Sequence, residues 1–416
     1  MTTGTGSLPG TKTDGAIPSA SPGKATIIVL GGLTALGPIT TDLYLPALPS
    51  LREDLGSTFP AVQLTMTASL LGLAIGQLLF GPLSDRLGRR RPLLAGMVLY
   101  TVATVVCALA PSITVLVAGR FLQGMAGAAG LVISRAIARD RYEGVAMVRF
   151  MASLGVISGL APICAPALGA LLLWLTDWRG TFGALMVYGT LASFGVLFRL
   201  TESLPPERRH RDGLGSTFRA IGGLLGNARF VGYVLTSTFS FGALFAYVGA
   251  SSVVIQDVYQ VSPQTYSLIF AVNSLAVVGF SQLNGRVLVQ HLKLDVLLLI
   301  GMGTAALAGT ALILFTSVWH LGLSAVWPAL FVLMAGMGIA LPNSSVQALT
   351  MAPHAAGSAS ALLGVGTFSC GALVAPLSSL GDRPSMGLLG VVVLGCALAG
   401  LSAFALLCRR PGPQAV

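Results

Sequence analysis

The chain is a succession of apolar stretches, each long enough to cross a bilayer, and that pattern leaves few folds open. A helix rising ~1.5 Å per residue needs about 20 apolar residues to span a hydrocarbon core of ~30 Å. Such stretches fall at 25–47, 60–81, 92–110, 113–137, 148–174 and 181–200, and again at 230–256, 265–285, 294–317, 321–342, 357–380 and 385–408. One polar segment, TESLPPERRHRDGLGSTFR, separates the two sets. The pattern predicts an all-α membrane protein of about twelve transmembrane helices in two pseudo-symmetric six-helix halves, with the lipid bilayer as solvent. Only 9% of the residues are charged, against about 25% in a soluble domain. The segments divide into a tail at 1–24, an N-terminal half at 25–200, a linker at 201–229, a C-terminal half at 230–408 and a tail at 409–416. The first tail is rich in Gly, Ser, Thr and Pro, which predicts disorder. It lacks the arrangement of a cleaved signal peptide, so the first apolar stretch is expected to be retained.

Charge placement predicts orientation. Of the 24 Lys and Arg residues, 20 fall in the tails and loops on one side of this pattern. Three, Arg52, Arg179 and Arg383, fall on the other side, and Arg120 lies within a span. The positive-inside rule then puts both termini and the linker in the cytoplasm. The net charge of +10 follows from that placement and calls for no nucleic-acid partner. The five cysteines sit in or at the end of apolar runs with no CxxC spacing, as small buried hydrophobes rather than metal ligands. No HExxH, GxSxG or P-loop pattern occurs, so nothing marks an enzyme or an ATP-driven pump.

The halves carry traces of duplication. FGPLSDR at 80–86 and FSQLNGR at 280–286 agree at Phe, Leu and Arg, and both close the second helix of their half. Parallel six-helix repeats are a known transporter plan.

The stretch GPLSDRLGRRRP fits the major facilitator superfamily signature at Gly81, Leu83, Ser84, Asp85, Arg86, Gly88, Arg89 and Arg90, in the loop between helices two and three. Physically, Gly81 is suited to end a helix, Asp85 to cap or pair locally, and the arginines to hold the loop inside. The chain further resembles the Bcr/CflA group of drug/proton antiporters in TTDLYLPALPSL, GQLLFGPLSDRLGRR, ESLPPERR, FSFGALFAYVGAS and AGSASALLGVGTF. That group includes bicyclomycin and chloramphenicol exporters. The resemblance implies a multi-pass exporter of the bacterial inner membrane that works as a monomer, needs no cofactor and draws on the proton gradient. It also implies that the loop at 81–92 locks the two halves together on the inner side. One departure stands out: the antiporter signature of helix five often reads Gly-Pro followed by Gly-Gly. GLAPICAPALGA keeps Pro162, Pro166 and Gly169 but has Ala165 and Ala170.

Two charges lie well inside the spans, Asp42 and Arg120. Counting along the helices puts Asp42 roughly 20–25 Å from the inner end of helix one and Arg120 roughly 13 Å from the outer face. Both belong in the outer half of the core, where a charge costs ~3 kcal/mol or more and must find a cavity or a partner. Three readings of Asp42 stand: a cap for a helix broken at Pro46, a residue reaching the outer interface, or a proton-binding carboxylate. The resemblance implies the last. Some related exporters carry a second acid one or two turns earlier in helix one; here that run offers Thr34 and no acid, so Asp42 would act alone. Arg120, in GRFLQGMAGAAG with Gln123 and Gly124, is either a cavity arginine that tunes Asp42 or holds substrate, or a structural arginine bonded to backbone carbonyls. Phe241 and Phe245, four apart on one helix face, and Asn273 are candidates to touch substrate, with lipid contact or plain packing as the alternative. The four histidines lie in loops or at helix ends, away from any proton relay.

Drug/proton antiport is the leading expectation. A proton-coupled importer of a sugar or amino acid with the same fold is the alternative, and a non-transporting membrane receptor a remote one. The topology is open to test. A cysteine engineered within 205–212 is expected to react only with a membrane-permeant reagent, and ready labelling from outside intact cells overturns the orientation.

Overall fold

The computed structural model describes residues 24–142, 144–209, 221–352, 356–377 and 385–408. The N-terminal tail, expected to be disordered, lies outside these residues apart from Lys24, as do the 409–416 tail, the centre of the linker and the loops holding His354 and Arg383. Among the described residues there is no strand. The described residues include 12 helical segments long and apolar enough to cross a membrane.

The N-terminal half consists of α1 (Lys24–Asp42), the short α2 (Leu48–Asp54), α3 (Phe59–Leu87), α4 (Arg90–Ala108), α5 (Ile113–Arg141), α6 (Gly144–Leu175) and α7 (Trp178–Arg199). The C-terminal half consists of α8 (Ala228–Val253), α9 (Pro263–Leu283), α10 (Leu294–Ile313), α11 (Leu323–Thr350), α12 (Ala356–Leu377) and α13 (Met386–Ala403). Helix starts follow local chemistry. Thr58, Asp177, Asn227 and Ser262 each accept backbone N–H bonds in the first turn of the helix they precede. Pro263 occupies the first turn of α9, where its missing N–H costs nothing.

Several helices outrun their apolar stretches. α3 continues through Asp85 and Arg86, α5 through Arg139 and Arg141, and α11 to Thr350. A helix satisfies its own backbone, so it need not stop where the lipid does. Gly81 accordingly does not end a helix, contrary to expectation. It sits inside α3, and Gly88, at φ +90°, ends it. A Cβ at Gly88 would lie 2.6 Å from the Glu202 carboxylate, so the left-handed turn and the crowding both demand glycine there.

The opposite correction applies to helix one, expected to run to residue 47. Pro46 has no N–H to give the carbonyl of Asp42, and its ring would clash there. The helix therefore stops at Asp42 and resumes, after a tight turn at Leu45–Ala47, as α2.

Close helix crossings hold each half. Gly72 and Gly76 let α3 lie against the backbone of α5, where a Cβ would come within 2.2 and 2.3 Å of carbonyl oxygens. Such small-residue contacts replace the hydrophobic driving force that lipid removes. Around this bundle large apolar side chains such as Leu109, Phe198 and Leu307 are 70% exposed or more, the surface expected of a protein solvated by lipid.

The apolar core is distributed unevenly between the two ends. At the arginine-rich end, which carries Arg86–Arg91 and Arg135–Arg141, each half has its own cluster. One gathers Leu30, Met97, Tyr100 and Phe150, the other Phe230, Leu298 and Phe404. Toward the distal end a single cluster joins Tyr44, Leu48, Val62 and Phe182 to Tyr247, Ile255, Tyr266 and Phe270. The two halves are packed together at the distal end.

Candidate functional site

The seam between the halves is made mainly by side chains of one half bonding backbone carbonyls of the other. Gln63 Nε2 donates to the Gly249 carbonyl, Thr67 Oγ1 to Ala372 at 3.0 Å, and Ser252 Oγ to Leu45. Gln256 Nε2 reaches the Pro46 carbonyl at 3.4 Å. At the rim Arg52 pairs with Asp257 at 2.8 Å.

The helix-five residues belong to this seam. Pro166 withholds an N–H from the Pro162 carbonyl four residues back, and Ser274 Oγ of α9 donates to that carbonyl at 3.4 Å. Ser267 Oγ donates to the Pro166 carbonyl at 3.0 Å. Gly169 admits the end of helix one: a Cβ there would lie 2.0 Å from the Leu43 carbonyl. Pro162, Pro166 and Gly169 thus expose backbone and make room, and the alanines at 165 and 170 take no part in these contacts.

Asp42 lies beside this seam, at the C-terminal end of α1 and 5% exposed. Its carboxylate accepts from Thr41 Oγ1 at 2.9 Å. The 3-10 turn and α2 have Tyr44 and Ala47 at their caps with no side-chain bond, so Asp42 caps neither. Nor does it reach the surface, since the residues after it, Leu43 to Leu48, are all buried.

Arg120 supports the same helix end without pairing with Asp42, and no ion pair joins the two. Its Nη1 donates to the Thr40 carbonyl at 3.1 Å and to Gln123 Oε1 at 2.7 Å. The Thr40 carbonyl is one of the four that a helix end leaves without a partner. The guanidinium lies 4.2 Å from the Tyr44 ring centroid and 5.8 Å from that of Phe182, which face its charge. Its Nε and Nη2 have no hydrogen-bond partner. Thr40 is held from another side by the Tyr100 hydroxyl at 2.7 Å.

Phe241 and Phe245 stack with centroids 6.0 Å apart, as their spacing indicates. Phe368 of α12, which sequence reasoning did not single out, completes the cluster at 6.4 and 6.1 Å. Its only sequence signal is its place at the end of AGSASALLGVGTF. Asn273 is fully buried and donates to the Tyr247 hydroxyl at 2.8 Å, so in this conformation it is turned to protein rather than to a cavity. Two grooves open on the outside of the seam. One of about 590 Å³ is lined by Leu171, Trp174, Ser267 and Leu268. A distal one of about 520 Å³ has Glu53, Asp54, Asp177 and Asp257 among its lining residues. Neither includes Asp42 or the aromatic cluster.

The loop motif is tied to its own half. Arg89 pairs with Asp85, bonds Ser84 and reaches Asp140 of α5 at 2.9 Å. Arg90 Nη2 donates to the Leu197 carbonyl at 2.7 Å. The backbone N–H groups of Arg89 and Arg90 both donate to Glu202, the first acid of the linker. Burial opposes the Arg89 charge, but Asp140 and Asp85 outweigh it and hold its proton more firmly than usual. The expected lock between the halves is not made in this conformation: the partners of Asp85, Arg89 and Arg90 among the described residues lie in the N-terminal half and at Glu202 of the linker, none in the C-terminal half.

Two six-helix bundles meeting beside a buried acid, with an apolar belt outside, have the architecture of a membrane transporter. A family model described as the Major Facilitator Superfamily matches residues 30–376, and the chain belongs to that superfamily. It is 39% identical to the uncharacterized MFS-type transporter YdgK of Bacillus subtilis, over 95% of this chain and 98% of that one. It is 31% identical to a bicyclomycin resistance protein homolog of Haemophilus influenzae (84% and 88% covered). It is 33% identical to a chloramphenicol resistance protein of Pseudomonas aeruginosa (81% and 80% covered). The two resistance proteins support the resemblance to the Bcr/CflA group. Among solved structures, a bacterial homolog of the human lysosomal transporter Spinster, inward-facing and unoccupied, superposes with a TM-score of 0.71 at 14% identity, covering 93% of this chain and 98% of that one. A D-xylose–proton symporter gives 0.70 at 16%, covering 91% and 96%. At such identities the likeness is one of fold.

The junction of loop and linker titrates. Burial pushes the Glu202 carboxyl up, but the N–H groups of Arg89, Leu204, Arg90 and Ser203 outweigh it and hold it below its ordinary value of 4.5. A depressed carboxyl stabilises the fold above its ordinary value, and that stability is lost as pH falls through the depressed one. Thermal melts in detergent are expected to show wild type losing stability below pH 4.5. Glu202→Gln should start lower and lose less. Parallel acid profiles for the two proteins contradict this account of the junction.

Proposed function

We propose that the protein is a proton-coupled exporter of small amphiphilic compounds, working by alternating access in a bacterial inner membrane with the arginine-rich end in the cytoplasm. The conformation described above is then the one closed toward the outside. The observation that carries the reading is Asp42: a buried acid at a helix end, with no cation paired to it, beside the contact between the halves. A carboxylate so placed is costly, and it stands at the negative end of the α1 dipole. Binding a proton removes that cost, and releasing the proton restores it. The closed distal seam therefore tolerates the neutral acid and resists the ionised one.

The aromatic cluster of Phe241, Phe245 and Phe368 offers ring faces to an apolar body. The names of the relatives support drugs as the cargo, with chloramphenicol- and bicyclomycin-like compounds the first to try. Arg120 serves here by fixing the end of α1 that carries Asp42. No resident cofactor enters the scheme, and a single chain contains every part of it.

A panel of antibiotics that includes chloramphenicol and bicyclomycin, run in a pump-deficient host, identifies the cargo. Asp42→Asn is expected to abolish uphill export in proteoliposomes under an imposed proton gradient, while downhill drug movement survives. Exchange of one proton for a neutral drug moves one charge, worth ~2.3 kcal/mol per 100 mV. Export should therefore respond to membrane potential as well. Full uphill export by Asp42→Asn overturns the reading.

A further inference from the structure

Toward the arginine-rich end, α3 and α12 still touch at Gln77. Its side chain lies against Gly364, where a Cβ would collide with Oε1 and come within 3.3 Å of Nε2. One turn further along α3 the halves have parted: a Cβ at Gly81 would meet only Val132 of its own half. On α12 a Cβ at Gly357 would meet nothing among the described residues. Gln77 therefore stands where the closed seam gives way to the opening between the halves. It is 7% exposed, and its Nε2 has no hydrogen-bond partner among the described residues. A buried donor left unpaired is costly, so the position favours any acceptor that can reach it. Phe368 lies four residues on from Gly364, on the same face of α12, and its ring meets Phe241 and Phe245. Phe241 and Phe368 are only half-buried, so protein does not wholly cover their rings. An unpaired amide donor and open ring faces thus meet along one turn of α12.

We propose that Gln77 determines which cargo is accepted, by donating an Nε2 hydrogen to a carbonyl-type oxygen of a neutral compound whose apolar body rests on Phe241 and Phe368. The proposal deepens the exporter reading and rests on it. The rings supply contact that any apolar body can use, so they select little. The amide selects: a compound that brings an acceptor satisfies it, and one that brings none leaves it unpaired. A buried polar group discriminates in this way where ring contact alone does not.

Benzophenone and diphenylmethane are matched probes, two neutral rings joined by a carbonyl in one and a methylene in the other. Tritiated benzophenone is bound to the full-length protein in lipid nanodiscs and irradiated, and its insertion sites are mapped, with either unlabelled compound as competitor. Labelling is expected in the peptides that hold Phe241, Phe245 and Phe368. Gln77→Met keeps the length of the side chain and removes the donor. It is expected to weaken competition by benzophenone about tenfold relative to competition by diphenylmethane. Comparing the two probes in the two proteins cancels partition into lipid and any general loosening of the site. Diphenylmethane still competing in the variant shows that the site is intact. Labelling confined to other peptides in wild type overturns the proposal. So does a ratio between the probes that Gln77→Met leaves unchanged, equal loss of both included. The exporter reading fails separately, through full uphill export by Asp42→Asn.

Discussion

The part of the seam built around Asp42 depends on one missing hydrogen. Pro46 gives no N–H to the carbonyl of Asp42, and helix one ends there, inside the protein. The consequences follow in order. The end of α1 presents free carbonyls, and Arg120 takes that of Thr40. The turn at Leu45–Ala47 presents more, and Ser252 and Gln256 of the other half take those. The carbonyl of Leu43 presses against Gly169. Asp42 is left at the point where these contacts converge. A broken helix beside a functional group at membrane depth is tolerable only because each freed backbone group faces protein.

The seam is built to part. Its bonds are mostly neutral, side chain to carbonyl, and each contributes about 0.5–1.5 kcal/mol net. Six such contacts amount to several kcal/mol, and moving a two-state equilibrium from 1:99 to 99:1 takes about 5.5. A charge in the membrane interior costs ~3 kcal/mol or more. Ionising one acid at this point is therefore comparable with breaking several of the bonds that close the distal end. Proton occupancy of Asp42 and closure of the seam have the right relative sizes to be coupled.

The sequence carried the fold in its apolar periodicity, because span length is fixed by the bilayer and not by tertiary packing. Helix ends were less legible: charged residues such as Arg86 and Arg139 continue a helix into water as readily as apolar ones do. Asp42 was legible as an acid where acids are costly. Its surroundings were not. Depth along the bundle put Arg120 level with Asp42, but contact depends also on the rotation of each side chain about its helix, and Arg120 turns to Thr40 and Tyr44. Glu202 joins Arg89 from more than a hundred residues away, and Tyr247 meets Asn273 between helices whose facing sides no local pattern gives. In Pro162, Pro166 and Gly169 the motif was visible, and the seam explains its chemistry as exposed carbonyls and room for a backbone.

The central claim is that one carboxyl, Asp42, exchanges its proton for drug. It is tested most directly by measuring proton release from purified protein in weakly buffered detergent solution. The probe is the antibiotic to which the protein gives most resistance. The account expects drug to release protons from wild type and none from Asp42→Asn, although that variant still binds the drug. Undiminished release from Asp42→Asn would contradict it and place the exchanging proton elsewhere in the chain.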